Sequence, residues 1–203
     1  MIDEKLLRDF ELDIADCYRQ GMIRAPVHLR GGCEEQLIEI FSQITEKDHV
    51  YGYWASHLYC LLKGVPPEEL KKAILDGKSI SLCFPEYRIF CSGIVGSLAG
   101  VAVGHALAIK MMGLDEKVFL FTGDMGAETG IFYEAAKYVQ FNDLPVVFIV
   151  EDNGLSVMTD TKKTWGDDYN FLWLEDYMSD NMFYSYQYKN TFPHSGINQR
   201  VSF

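Results

Sequence analysis

Apolar positions along the chain change period several times, and each change predicts an element. In residues 3–20, Leu6, Leu7, Phe10, Ile14, Cys17 and Tyr18 recur at helical spacing, so this segment reads as an amphipathic helix ended by Gly21. Residues 22–29 read as a connector. Gly31-Gly32-Cys33-Glu34-Glu35 then opens a second helix with Leu37, Ile38, Ile40 and Phe41 turned inward. Val50, Tyr51 and Tyr53 predict a short strand, followed by a helix through Leu58, Leu61 and Leu62 to Gly64. Pro66-Pro67-Glu68-Glu69 places proline and acids in the first turn of another helix, which runs to Leu75 and stops at Gly77. Residues 91–112 are nearly all apolar, with Gly96, Gly100 and Gly104 on one small face suited to close helix packing, within the chain or across a subunit interface.

The most regular pattern spans residues 117–157. Val118 to Phe121 is a continuous apolar run, as in a strand buried on both faces. Gly123-Asp124-Met125-Gly126-Ala127-Glu128-Thr129-Gly130 breaks it. Ile131, Phe132, Ala135, Ala136 and Val139 then recur at helical spacing. Asn142-Asp143-Leu144-Pro145 ends that helix, and Val146 to Val150 is a second buried-strand run before Glu151-Asp152-Asn153-Gly154. Strand, helix and strand with short joins make a right-handed crossover unit. The predicted fold class is α/β: an open, mostly parallel sheet with helices on both faces. The expected organisation is a single domain over residues 1–203, with a helical segment at about 1–45. Beyond Asn153, residues 156–161 read as a loop closed by Trp165-Gly166. Residues 171–178 read as a helix, Tyr184, Tyr186 and Tyr188 alternate as a strand, and the stretch around Phe192-Pro193-His194 reads as a loop.

The candidate chemistry follows from where polar residues interrupt this pattern. Asp124 and Asn153 each fall just past the carboxyl end of a predicted strand, and the crossover makes those ends neighbours in the crevice where such sheets bind ligands. A carboxylate, an amide oxygen and the backbone carbonyl of Leu155 are hard oxygen donors that suit Mg²⁺ together with phosphate oxygens. Gly123, Gly126 and Gly130 allow backbone amides to approach a diphosphate, and the helix beginning near Gly130 adds its positive end. An ordinary glycine turn with a solvated aspartate fits the same pattern, so spacing alone leaves both readings open.

Composition narrows the classes. A formal charge of −11 without a basic stripe argues against nucleic-acid or anionic-membrane partners. It also implies that a bound diphosphate is held by backbone and metal more than by lysines. The run at 91–112 is rich in Gly, Ala and Ser and carries His105, which argues against a membrane span. Five cysteines (Cys17, Cys33, Cys60, Cys83 and Cys91), widely spaced and without a CxxC, read as reduced core thiols of a cytoplasmic protein. The polar Met-Ile-Asp-Glu-Lys start predicts no signal peptide.

The 117–157 segment resembles the thiamine-diphosphate motif, a Gly-Asp-Gly turn followed by an Asn pair, here Gly123-Asp124-Met125 and Asp152-Asn153. It is most similar to the α subunit of the decarboxylating component of 2-oxo acid dehydrogenases, whose pattern also matches Gly130, Glu134, Ala135 and Pro145. His28-Leu29-x-x-Gly32-x-Glu34 resembles a further motif of these subunits, although His28 and Glu34 serve equally as a loop pair holding a helix start. Together these cover about residues 10–160. The resemblance implies a thiamine-diphosphate-binding fold, thiamine diphosphate and Mg²⁺ as cofactors, and metal ligation by Asp124, Asn153 and Leu155. It implies cofactor contacts from Trp54, Gly93, Val95, Gly123, Met125 and Gly126, and a catalytic, substrate-orienting role for His57. It further implies a separate β-type subunit that brings the pyrimidine-binding domain with its Glu, in an α₂β₂ assembly acting on a 2-oxo acid or sugar.

Three departures stand out. Met125 replaces a glycine, Asp152 replaces an asparagine, and Ala55 stands where the family has a phosphate-binding arginine, which predicts either weaker cofactor binding or a donor supplied from elsewhere, for instance Arg88 or the partner chain. The His-rich loop typical of these subunits is absent, which points toward a specialised decarboxylase or a ketol or acyl transferase rather than a housekeeping pyruvate dehydrogenase. A degenerate, non-catalytic assembly subunit is the alternative. A nucleotide-binding oxidoreductase fits poorly, because the 123–130 turn is not GxGxxG.

Overall fold

The computed structural model describes residues 2–166, 174, 177, 178 and 182–194. Among these, six strands form one sheet: β1 (His49–Gly52), β2 (Cys83–Phe84), β3 (Ile89–Cys91), β4 (Val118–Gly123), β5 (Val146–Asp152) and β8 (Phe183–Gln187). Across the sheet they run in the order β2-β3-β1-β4-β5-β8. Neighbours are parallel except β2, which pairs antiparallel with β3. β6 (Leu155–Ser156) and β7 (Thr159–Asp160) form a separate small hairpin.

The continuous apolar runs have a direct physical cause: helices cover both faces of the sheet. Phe119, Phe121, Val147 and Ile149 point to one layer, where α1 (Glu4–Arg19), α2 (Glu34–Phe41), α3 (His57–Leu62) and α4 (Pro67–Ala73) contribute Leu7, Ile14, Leu37, Leu58 and Leu70. The alternate residues Val118, Leu120, Val146, Phe148 and Val150 point the other way. They meet Leu98, Ala102 and Ala106 of α5 (Ser97–Met112) and, beyond the single helical turn α6 (Asp124–Ala127), Phe132, Ala136 and Val139 of α7 (Gly130–Phe141). The two central strands β4 and β5 thus bury nearly all their side chains, alternately on one face and the other.

Several expectations need adjustment. The apolar run at 91–112 divides into the end of β3, a turn, and α5, which begins where Gly96 takes φ 72°. Strands β2 and β3 went unforeseen. Glu151 and Asp152 belong to β5 and not to the turn after it. The segment after Asn153 is more ordered than a loop: the β6–β7 hairpin leads into α8 (Thr161–Trp165). The expected helix at 171–178 lies largely outside the described residues. Cys83 is exposed while the other four cysteines are buried, and all five are free thiols. Of the small-residue face, Gly96 packs against Ile131, whereas a Cβ at Gly100 or Gly104 would meet nothing within 4 Å, so that part of the face is open among the described residues.

The chain direction reverses at β1, which has β3 on one side and β4 on the other. Its carboxyl end therefore sits at a topological switch point, beside the carboxyl ends of β4 and β5.

Candidate functional site

A partly open cavity lies at that switch point. The Tyr53-Trp54-Ala55 turn after β1, the Thr122–Gly126 segment and Val95 and Gly96 form much of its wall. Glu151, Asn153, Leu155 and Ser156 add the end of β5 and the hairpin, and Tyr188, Asn190 and His194 close it from the far end of the described chain.

Of the residues expected at the site, Trp54, Val95, Gly123, Asp124, Met125, Gly126, Asn153 and Leu155 all line this cavity. The register explains part of that convergence. Gly123 of β4 pairs with Glu151 of β5, so Asp124 leaves the sheet beside Asp152 and Asn153. Asp124 is buried at 1% exposure and accepts a hydrogen bond from the Thr161 hydroxyl. Burial raises its pKa from 3.8 to about 6, and the Asp152 carboxylate adds to the rise while the Thr161 bond and backbone amides oppose it. The Asn153 amide oxygen accepts the Leu155 N–H at 3.0 Å, and its NH₂ donates to the Tyr188 hydroxyl at 3.1 Å. Asp152 accepts from the Gly154 N–H at 2.9 Å and from the Gln187 amide at 3.1 Å.

His57 and Gly93 do not line the cavity. His57 is fully buried behind the wall, one ring nitrogen 3.1 Å from Glu11 Oε2 and the other 2.9 Å from Ser79 Oγ. With both nitrogens committed, the imidazole joins α1, α3 and the segment after α4, and the substrate-orienting role expected of it has no geometric basis here. A Cβ at Gly93 would lie 3.2 Å from Ile80 Cδ1 and 3.3 Å from its carbonyl, so a close neighbour of its own chain, not a ligand, asks for glycine there. The same holds at Gly126, where a Cβ would fall 2.3 Å from Thr122 Oγ1. Gly130 meets nothing within 4 Å.

Arg88, expected as a possible replacement donor, is committed elsewhere. It bonds the Lys47 carbonyl at 2.9 Å and Glu116 at 3.0 Å, beside His49 at the amino end of β1. Glu34 accepts the Gly32 N–H at 2.8 Å and lies 3.4 Å from Arg8. The loop-holding part of the His28–Glu34 reading therefore belongs to Glu34. The His28 ring lies 5.8 Å from Trp54 and 5.9 Å from His194, centroid to centroid. Burial and the neighbouring histidines push its pKa down to about 4, so it is neutral at physiological pH.

Sequence reasoning missed a buried polar cluster in the cavity wall. Arg30 pairs with Glu151 at 2.5 Å, and the Tyr59 and Tyr186 hydroxyls both donate to that carboxylate. Both tyrosines stay as phenols because burial raises their pKa well above the ordinary value. His194 was also missed; neither of its ring nitrogens makes a hydrogen bond among the described residues. The segment carrying it docks on the Gly31-Gly32 turn. Thr191 N–H donates to the Gly31 carbonyl at 3.2 Å and Gly31 N–H to Asn190 Oδ1 at 3.2 Å.

The donors at the cavity suit an anionic ligand and a hard cation. The indole N–H of Trp54 and Nε of Arg30 are buried without an acceptor, and a ligand rich in oxygen would supply one. Asp124, the Asn153 amide and the Leu155 carbonyl are oxygen donors of the kind Mg²⁺ takes.

Comparison with known proteins gives a consistent picture. The family model described as "Dehydrogenase E1 component" matches residues 3–170. The α subunit of acetoin:2,6-dichlorophenolindophenol oxidoreductase from Cupriavidus necator is 30% identical over 165 residues, covering 76% of this chain and 50% of that one. The mitochondrial pyruvate dehydrogenase E1 component subunit alpha of Dictyostelium discoideum is 31% identical over 161 residues, covering 75% and 43%. The chain thus spans about half the length of these curated relatives. A solved structure from Mycobacterium smegmatis matches 74% of this chain and 30% of that one at 16% identity, with a TM-score of 0.42.

Proposed function

The chain belongs to the dehydrogenase E1 component family, and on that premise we propose that it is the diphosphate- and Mg²⁺-binding α-type subunit of a thiamine-diphosphate-dependent enzyme acting on a 2-oxo acid or ketose. The observation that carries the reading is the cavity itself, in which Asp124, Asn153 and Leu155 share one wall at the switch point of the sheet. Asp124, the Asn153 amide and the Leu155 carbonyl would hold the cation. When bound, thiamine diphosphate supplies an electron sink for the carbanion left by decarboxylation or ketol cleavage. The chain's own part is to bind and orient. Thr161 fixes the Asp124 carboxylate, Tyr188 holds the Asn153 side chain, and Trp54 and Val95 wall the cavity. The neutral His28 ring packs near Trp54, and His194 lies on the cavity wall with both ring nitrogens buried and, among the described residues, without a hydrogen-bond partner.

In this reading a β-type partner brings the Glu that the cofactor's pyrimidine needs. The open face of α5 and α7, with Val101, Met111, Met112, Tyr138 and Phe141 exposed, is a suitable surface for such a partner in an α₂β₂ assembly. The free thiols fit a reducing compartment such as the cytoplasm. Among the described residues no helix is long and apolar enough to cross a membrane.

Titration calorimetry of the chain mixed with its neighbour-encoded partner tests the proposal. Mg²⁺-dependent binding of thiamine diphosphate, lost in Asp124→Ala, is the expected result. An assembly that forms yet binds no cofactor would replace this reading with that of a non-catalytic subunit.

A further inference from the structure

Among the described residues lining the cavity, Arg30 is the sole lysine or arginine. It is 1% exposed, and three tyrosine rings surround its guanidinium carbon, with centroids at 5.6 Å (Tyr53), 5.0 Å (Tyr59) and 5.4 Å (Tyr188). An arginine offers five N–H donors. Here Nη2 donates to Glu151 at 2.5 Å and Nη1 to the Tyr59 hydroxyl. The other contacts are weak: Nη1 to the Ala55 carbonyl at 3.3 Å and Nη2 to the Tyr186 hydroxyl at 3.4 Å, both beyond the usual N–H···O range. Among the described residues Nε meets no hydrogen-bond acceptor of good geometry; the Cys33 sulfur interacts with the guanidinium, but burial pushes its pKa up to about 12 and keeps it a neutral thiol, a weak acceptor. A buried guanidinium normally uses its donors more fully than this. The indole N–H of Trp54, on the same wall, is left without an acceptor in the same way.

We propose that Arg30 is the cation this chain presents to the anionic diphosphate end of its ligand, its weakly used N–H donors turning to phosphate oxygens while Glu151 and Tyr59 hold the guanidinium in the wall. This rests on the thiamine-diphosphate reading above. Two observations give the assignment its shape. Asp124 and Glu151 are both carboxylates on the cavity, and Arg30 offsets one of them, so a diphosphate meets less repulsion than the acid content alone implies. The small side chain at Ala55 leaves the wall without a cation of its own, and Arg30 reaches the carbonyl of that residue from the loop before α2. The charge thus enters from position 30 rather than from position 55.

Calorimetry on the full chain mixed with its neighbour-encoded partner, with Mg²⁺ and inorganic diphosphate or thiamine diphosphate as probes, separates this role from a merely structural one. In Arg30→Met/Glu151→Leu both charges leave together. Replacing a buried ion pair with apolar residues commonly preserves folding, so the ligand-free melting temperature should stay near that of the wild type. Diphosphate affinity should fall about tenfold or more, the usual value of a charged hydrogen bond. Glu151→Gln should act in the opposite direction. It leaves the arginine uncompensated, so added Mg²⁺-diphosphate should raise the melting temperature by more than it does in the wild type. A folded double variant that binds within twofold of the wild type overturns the assignment. So does a Glu151→Gln protein with no larger ligand-induced shift, which decides the matter if the double variant does not fold. Asp124→Ala, run beside them, distinguishes the two levels. If the wild type shows no Mg²⁺-dependent binding, or Asp124→Ala keeps it, the cofactor reading falls and Arg30's role with it. If those controls behave as expected and only the double variant is unaffected, the cofactor reading stands and Arg30 alone is wrongly assigned.

Discussion

Replacing Asp124 by asparagine should make the ligand-free protein more stable while removing the carboxylate proposed to ligate Mg²⁺. The carboxylate is 1% exposed, and burial raises its pKa from 3.8 to about 6. A tenfold change in proton affinity is worth about 1.4 kcal/mol, so keeping the charged form at neutral pH costs roughly 2–3 kcal/mol. Asparagine has nearly the same shape, and its amide oxygen can still accept from the Thr161 hydroxyl, so the substitution removes the charge and little else. For a chain of this size, 2–3 kcal/mol corresponds to a rise in Tm of about 5–10 °C.

The pH dependence gives the prediction its sign. The folded-state pKa lies above the unfolded one, so between about pH 4 and pH 6 the native chain binds the extra proton. Stability conferred by the neutral form is present at the acid end and is lost as pH rises through that window. Asp124→Asn should therefore exceed the wild type in Tm at neutral pH and match it near pH 4, as followed by circular dichroism in metal-free buffer. Adding Mg²⁺ and thiamine diphosphate should raise the wild type and leave the variant unchanged. Equal melting temperatures at neutral pH, or an equal advantage at both pH values, would refute the claim that the buried charge is the cause.

Other substitutions probe the supporting structure. Thr161→Val removes the hydroxyl donor from Asp124 and should lower stability by about 1–3 kcal/mol in urea unfolding, more at neutral than at acid pH. Gly126→Ala drives a methyl into Thr122 Oγ1 and should cost about 1–3 kcal/mol; Thr122→Ala in the same chain should recover much of it, giving a clear coupling energy in a double-mutant cycle. His57→Leu strips the buried Glu11 carboxylate of its partner and should cost about 3 kcal/mol by chemical denaturation, while the protein that remains folded binds cofactor as before. Gly32→Ala meets both an unfavourable φ of +84° and the Lys189 carbonyl 2.4 Å away, so residues 188–194 should become more susceptible to limited proteolysis.

How much of this was legible in the sequence depended on whether the cause was local. The runs that became β4 and β5 were readable because both faces of the sheet are covered, which removes the polar half of the strand pattern. Residues 83–91 were not readable as strands, because β2 and β3 are two and three residues long, carry exposed Cys83 and Phe90, and are separated by a proline turn. Glu151 looked like the start of a turn because acids rarely end a buried strand. Its partner Arg30 lies 121 positions earlier, a distance no periodicity can bridge. The available signal was slight: an arginine between Leu29 and two glycines, and a glutamate closing an all-apolar run. His57 misled in the other direction, since a motif position gives a residue type and a neighbourhood but not the direction in which the ring faces.

The departures from the family pattern bear on whether the site is drifting or in use. Met125 replaces a glycine, yet its sulfur accepts the Trp165 indole N–H at 2.9 Å. Thr161, at the other end of the same short helix α8, holds Asp124. The methionine thus ties α8 to the turn that carries the aspartate, and a glycine at 125 would leave that helix fastened at one end only. Ala55 offers no cation to the wall, and Arg30 brings one to 3.3 Å from the Ala55 carbonyl. Each loss is matched by a second residue of the same chain at the same place. A decaying pocket has no physical reason to keep a buried, charged arginine between three tyrosines, because without a ligand its unmet donor is a net cost to folding. On the proposed reading an oxygen-rich ligand offsets that cost, whereas a purely assembly role supplies no acceptor for it.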